Sequence, residues 1–315
     1  MGIVIKGTGM YVPDRILTNA DLEKMVETSD EWITTRTGIK ERHIADREIA
    51  TSDLACEAAK RALEMAGVEP GELDLITVAT VTPDKMFPNT AALVQRKLGA
   101  GNCPCFDLEA ACSGLLYSLE VAHSILSAKK NYKKALVIGA EKLSSIVDWT
   151  DRSTCVLFGD GAGAAVFELT DTSVPFAITL GARGDAAIHA GGPSRAGSAP
   201  ISMDGRAVFR FAVDALPKCL HTVLDETGLT LDNLDWVVCH QANSRIIDHC
   251  VKALHADGAK FYKNMDRHGN TSAASIPVAL NELAESGQLH PGQTLACIGF
   301  GGGLTWGGMI VEYKG

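Results

Sequence analysis

Cys112 lies in the run Phe106-Asp107-Leu108-Glu109-Ala110-Ala111-Cys112-Ser113-Gly114, where a strand pattern gives way to the apolar helical stretch from Leu115 to Leu126. A thiol at a helix start is a nucleophile candidate, because unpaired N–H groups and the positive end of the dipole favour the thiolate. Two further segments, His240-Gln241-Ala242-Asn243 and His268-Gly269-Asn270-Thr271, supply possible partners. Most buried cysteines are simply small hydrophobes, so context has to decide.

Two chemistries use a cysteine, a histidine and an asparagine. In a papain-like hydrolase, His240 would be the base for Cys112 and Asn270 would orient the imidazole. The Ala-Cys-Ser-Gly context and the absence of a disulfide pattern speak against it. In the second, Cys112 takes an acyl group as a thioester, while His240 and Asn270 donate hydrogen bonds to a second substrate's carbonyl. Paired donors aimed at a developing enolate suit decarboxylative carbon–carbon bond formation. The glycine run Phe300-Gly301-Gly302-Gly303 allows close backbone approach, so that the amides of Cys112 and Gly302 would form an oxyanion hole.

These residues are dispersed, and the elements that must gather them are repeated. Ala66-Gly67-Val68-Glu69-Pro70-Gly71-Glu72-Leu73-Asp74-Leu75-Ile76 resembles Thr227-Gly228-Leu229-Thr230-Leu231-Asp232-Asn233-Leu234-Asp235-Trp236-Val237, with Gly67 and Gly228 offset by 161 (228 − 67). An amphipathic helix precedes each copy, with stripes on Leu54, Ala55, Ala58, Ala59, Ala62 and Leu63, or on Phe211, Ala215, Leu216, Cys219, Leu220, Val223 and Leu224. Each half reads β-α-β-α-β-α-β-β, which divides the chain at 1–170 and 171–315 and implies mixed sheets with helices on their faces. Counting five residues from Asp107 reaches Cys112, and five from Asp266 reaches Thr271 beside Asn270. A pseudo-twofold axis would therefore bring the two junctions together, and His240 follows a strand end of the kind that borders ligand crevices.

Composition narrows the classes. The 315 residues are 46% hydrophobic and 21% charged, which is an ordinary globular mixture. A net charge of −9 argues against a general nucleic-acid binder. No stretch reads as a membrane span, and Leu295–Val311 fits two strands around a turn. Nine scattered cysteines and a start without a secretory pattern point to the reducing cytoplasm. Gly159-Asp160-Gly161-Ala162-Gly163-Ala164 is followed by a strand pattern, so it fails as a dinucleotide fingerprint.

Asp-Leu-Glu-Ala-Ala-Cys112-Ser-Gly, His240-Gln-Ala-Asn-Ser-Arg-Ile, Asp-Arg-His-Gly-Asn270-Thr-Ser-Ala-Ala-Ser and Phe-Gly-Gly-Gly-Leu-Thr-Trp-Gly closely resemble β-ketoacyl-acyl-carrier-protein synthase III of the thiolase superfamily. The resemblance spans essentially the whole chain. It implies the duplicated α/β thiolase fold, five-layered αβαβα with two mixed sheets, and a homodimer. It also implies the initiating condensation of type II fatty-acid synthesis: a short acyl-CoA plus malonyl-acyl-carrier protein gives a β-ketoacyl product, CoA and CO₂. CoA thioesters are then substrates, and neither cofactor nor metal is expected. A related acyltransferase, or a quinolone- or polyketide-type condensing enzyme with another second substrate, is the alternative, and a binding protein without turnover is a further class.

By the same resemblance, Trp32 and Arg152 sandwich the adenine of CoA, and Thr28 and Arg36 lie beside the nucleotide. Gly205 and Asn243 follow the pantetheine arm. Phe87 closes the acyl pocket across the dimer interface, with an ordinary core aromatic as the competing expectation. Arg210, Arg245 and Lys252 match a basic patch that docks the acidic carrier protein. Thr28-Ser29-Asp30-Glu31 reads as a capping box opening the helix that carries Trp32 and Arg36. His268 reads as support for the Asn270 loop. Gly184–Pro200, rich in Gly, Ala, Ser and Pro, reads as a loop near the pocket.

Overall fold

The computed structural model describes residues 2–192 and 199–315, so six residues of the Gly184–Pro200 segment lie outside the described residues. The first run of strands is β1 (Gly2–Tyr11), β2 (Leu75–Ala79), β3 (Cys105–Leu108), β4 (Lys134–Glu141) and β5 (Gly161–Thr170). The second is β6 (Ala177–Ala182), β7 (Trp236–Cys239), β8 (Phe261–Tyr262), β9 (Thr294–Gly301) and β10 (Thr305–Tyr313). Their helices are α1 (Thr51–Ala66), α2 (Thr90–Leu98), α3 (Gly114–Ala128), α4 (Gly205–Thr227), α5 (Ser244–Ala253) and α6 (Ser275–Glu285).

The two runs pair identically, as β3-β2-β4-β5-β1 and β8-β7-β9-β10-β6. In each, the first two pairings are parallel and the last two antiparallel. A short parallel contact of β1 with β10, Val4 beside Glu312 and Ile5 beside Tyr313, joins the sheets into one path. The uncharged stretch 295–311 forms β9, a turn and β10, as its glycine content suggests.

Strand alternation sorts the core into three apolar layers. Ala135 and Val137 of β4 face inward with Leu295 and Cys297 of β9, against Leu115, Leu116 and Leu119 of α3 and Ile276, Ala279 and Leu280 of α6. Leu136, Ile138 and Ala140 face the other way, onto α1 and α2. Ala296 and Ile298 face α4 and α5. The order across the molecule is therefore helix, sheet, helix, sheet, helix. α3 and α6 are buried between both sheets, which is why their sequences lack a broad polar face.

Two local readings are corrected. The helix Asp30–Thr37 is capped by Ser29, whose side chain accepts from Trp32 N, so the box proposed on Thr28 and Glu31 does not form. The turns Ala111–Ser113 and Ser272–Ala274 precede α3 and α6 in the same way, and their first residues, Ala111 (φ 45) and Ser272 (φ 51), share a left-handed backbone. That matches Cys112 to Ala273 at the 161 offset of the glycines (273 − 112), two residues beyond the match obtained by counting from Asp266.

Candidate active site

Cys112, His240 and Asn270 line one narrow cavity of about 80 Å³, together with Phe158, Phe300 and Gly302. Each is delivered by a different element. Cys112 sits in the turn that opens α3. His240 follows β7, its backbone N donating to Ile298 O at 2.8 Å. Asn270 is held by its backbone, N to Leu157 O at 2.8 Å and O from Gly159 N at 3.1 Å. All three are buried, at 8%, 1% and 7% exposure, so the chemistry is shielded from bulk water.

Side-chain orientation follows from hydrogen bonds. Ser272 N donates to Asn270 Oδ1 at 2.9 Å, which commits the amide oxygen and leaves the NH₂ group as the free donor. His240 Nδ1 lies 2.6 Å from Ser275 Oγ, and the ring packs edge-on to Phe300 at 5.3 Å between centroids. Burial pushes the imidazole down to about 3, so the ring is neutral near pH 7.

The thiol differs from the sequence reading. Burial pushes Cys112 up to about 12, against a hydrogen bond with Ser272 that lowers it, and the buried Glu141 carboxylate raises it further. The rise from 9.0 corresponds to about 4 kcal/mol, whereas a helix start supplies at most about 2 kcal/mol. Desolvation therefore wins, and Cys112 rests as the thiol.

Glu141, at the end of β4, was not singled out in the sequence, although a lone acid closing an apolar strand is a visible signal. It is fully buried, accepts from Thr82 Oγ1 at 2.7 Å and Val81 N at 3.1 Å, and burial pushes its carboxyl up to about 7. Ser272 and Ser275 were also missed as individual residues, although both stand in the quoted Asn270 motif.

The glycine run meets the nucleophile as expected. A Cβ on Gly301 would lie 2.6 Å from Cys112 N, so only glycine lets β9 reach that turn. Thr305 Oγ1 lies 3.0 Å from both Ala110 O and Gly302 O, so its one hydrogen is shared between the two carbonyls or directed to either, beside the Cys112 turn. His268 supports the Asn270 loop from α6: Nε2 lies 2.9 Å from Glu282 Oε1. Burial pushes the Glu282 carboxyl up, but His268, Asn264 and Arg267 outweigh it and hold it at about 2.

The residues assigned to CoA form a path away from this floor. Gly205 and Asn243 line the cavity. Asn243 caps α5 and donates from Nδ2 to Arg36 O at 3.0 Å. Trp32 stands between Arg36 and Arg152, each guanidinium 4.9 Å from the ring centroid, and Arg152 also donates to Glu27 O at 2.8 Å. Thr28 Oγ1 is buried close by without a partner.

Arg210 on α4 and Arg245 and Lys252 on α5 are exposed, on the two helices whose Val208 and Ile246 line the cavity. A second cavity of about 480 Å³ also reaches Cys112, lined by Glu109, Leu143, Ile188 and Ile201. Phe87 lines neither cavity; at 85% exposure it is no core aromatic. Among the described residues no cluster of three metal-ligating side chains and no helix able to cross a membrane occurs.

Residues 106–184 match the family described as 3-oxoacyl-[acyl-carrier-protein (ACP)] synthase III, and residues 224–313 match its C-terminal counterpart. The β-ketoacyl-[acyl-carrier-protein] synthase III of Desulfitobacterium hafniense is 49% identical over 100% of this chain and 98% of its own. The solved 3-oxoacyl-[acyl-carrier-protein] synthase III of Aquifex aeolicus superposes with a TM-score of 0.93 at 46% identity, covering 99% and 100% of the two chains. A priming β-ketosynthase from the R1128 polyketide pathway gives a TM-score of 0.93 at 35% identity, covering 99% and 96%.

Proposed function

The chain belongs to the β-ketoacyl-[acyl-carrier-protein] synthase III family, and we propose that within its initiating condensation Cys112 carries the acyl group while His240 and Asn270 hold the malonyl thioester. The relatives' name gives the β-ketoacyl-acyl-carrier-protein product, and the motif resemblance implies that a short acyl-CoA and malonyl-acyl-carrier protein are the substrates joined to make it. The fatty-acid reading is favoured over a polyketide one by identity, 46% and 49% to fatty-acid-type synthases against 35% to the priming ketosynthase. Nine free cysteines support a reducing cytoplasm as its location.

In the first half-reaction the Cys112 sulfur attacks the acyl-CoA carbonyl. The amides of Cys112 and Gly302 hold the oxyanion, and CoA leaves with the proton the thiol gives up. Because the thiol is neutral at rest, its proton departs during attack rather than before it. Malonyl-carrier protein then binds. Neutral His240 and the Asn270 amide donate to its thioester carbonyl, CO₂ departs, and the enolate carbon attacks the acyl-cysteine carbonyl. The acyl C–S bond breaks, and Cys112 leaves as thiolate and takes up a proton from solvent to return to the thiol. The carrier protein docks on Arg210, Arg245 and Lys252, and CoA lies along Gly205, Asn243, Arg36, Trp32, Arg152 and Thr28. The halves 1–170 and 171–315 each contribute one side of the site. Phe87 reaches the acyl pocket of a second copy.

The observation that carries this reading is the convergence of one thiol and two neutral donors on a single buried cavity. Cys112→Ala should abolish acyl transfer from acyl-CoA, followed by intact mass, and still decarboxylate malonyl-carrier protein. His240→Ala and Asn270→Ala should lose decarboxylation by about 100-fold or more and still acylate. Full condensation by Cys112→Ala would sink the division of roles.

A further inference from the structure

A neutral imidazole carries one proton, and only one of its two tautomers can donate into the cavity. His240 turns Nδ1 toward Ser275 Oγ at 2.6 Å, which leaves Nε2 as the nitrogen on the cavity side. The same Ser275 oxygen accepts from Gln241 N at 3.3 Å. A hydroxyl has a single hydrogen and two lone pairs. With the Gln241 amide on one lone pair, the Ser275 hydrogen can point at Nδ1, and in that arrangement the imidazole proton sits on Nε2.

The surroundings hold this geometry in place. Gln241 Nε2 donates to Cys239 O at 2.7 Å and Tyr262 O at 3.1 Å, and its Oε1 accepts from Asn264 N at 3.0 Å, which fixes the backbone on either side of His240. Ser275 is 2% exposed and opens α6, so water does not compete for Nδ1. The opposite tautomer would present an Nε2 lone pair to a carbonyl oxygen, and repulsion would replace the donor bond.

We propose that Ser275 is a positioning residue that selects the Nε2–H tautomer of His240 and thereby makes it a hydrogen-bond donor to the malonyl thioester. The same turn serves the other donor, since Ser272 N–H fixes the Asn270 amide. The inference rests on the donor role assigned above to His240. Burial, which keeps the ring neutral, supports it independently.

The test measures both half-reactions in Ser275→Ala and Ser275→Thr, together with the tautomer of His240 by nitrogen-15 NMR of histidine-labelled protein. Ser275→Ala should slow malonyl-carrier decarboxylation roughly tenfold or more, as expected when a transition-state donor is misaligned. Acylation of Cys112 by acyl-CoA should stay within about twofold, because that step does not use the His240 donor. Ser275→Thr, which keeps the hydroxyl, should recover decarboxylation. Equal loss in both half-reactions, or full decarboxylation by Ser275→Ala, would overturn the proposal. The unsubstituted protein should show His240 protonated at Nε2, and protonation at Nδ1 would overturn it even if the variants fold poorly. Undiminished decarboxylation by His240→Ala would instead remove the donor role itself, while the NMR result still reported the tautomer.

Discussion

At the residue scale, the ionisation of Cys112 separates what the side chain is from what its place makes it. A thiol held near 12 is almost wholly protonated at neutral pH, and its thiolate fraction grows about tenfold per pH unit below that value. Alkylation of Cys112 by iodoacetamide, read by intact mass, should therefore rise steadily from pH 7 to 10 without a plateau. Glu141 contributes a buried negative charge that raises this thiol, and its own carboxyl ionises near 7. Glu141→Gln removes that charge, lowers the Cys112 value, and should speed alkylation several-fold above pH 7 while leaving the rate below pH 6 nearly unchanged. A plateau below pH 9, or slower alkylation in the variant, would contradict this assignment. The trio itself was legible because residue type and neighbours fix what Cys112, His240 and Asn270 can do. Their charge states were not, because the desolvation that decides them arises only when two distant halves close over the same space.

At the element scale, each sheet of one half supports the functional turn of the other. A Cβ on Gly139 of β4 would lie 2.1 Å from Ala273 O, in the turn that opens α6. On the other side, a Cβ on Gly301 of β9 would lie 2.6 Å from Cys112 N, in the turn that opens α3. Gly139→Ala must push back the turn whose Ser272 N–H orients Asn270, at an overpacking cost of about 1–3 kcal/mol. The variant should melt several degrees lower and lose decarboxylation more than acylation. Gly71→Ala is the control, since nothing lies within 4 Å of a Cβ there. A Gly139→Ala enzyme with unchanged melting and unchanged decarboxylation would show that the turn adapts freely. The duplication that produces this reciprocity was readable from Gly67 and Gly228, and the long helices stand within a few residues of their periodic patterns. The two-residue difference in matching Cys112 to its counterpart came from counting through the strand ends, where β3 and β8 differ in length. The Ser29 cap was missed because adjacent Thr28 and Ser29 offer the same hydroxyl, and only backbone geometry selects between them.

At the scale of the whole molecule, the loop between β2 and α2 remains unexplained by a single copy. Its first half is pinned where Asp84 accepts from Ser52 N at 2.8 Å and Ser52 Oγ at 2.6 Å. Its second half is pinned where Asn89 caps α2 and Asp107 accepts from Thr90 N and Ala91 N. Between these anchors Met86 and Phe87 are 74% and 85% exposed. Leaving one large apolar side chain in water forgoes about 1.5–3 kcal/mol of burial, and a loop already ordered loses little further freedom on docking. Both facts fit a homodimer in which Phe87 enters the acyl pocket of the partner copy. Repulsion between two copies of charge −9 is screened beyond about 8 Å at physiological salt and does not oppose an apolar contact. Sedimentation velocity at micromolar concentration should give about twice the 33.4 kDa chain mass. Phe87→Asp should shift the enzyme toward monomer and slow acylation by acyl-CoA. A wild-type protein that sediments as a monomer at concentrations where it condenses would leave Phe87 outside every acyl pocket, and the chain would have to close that pocket alone.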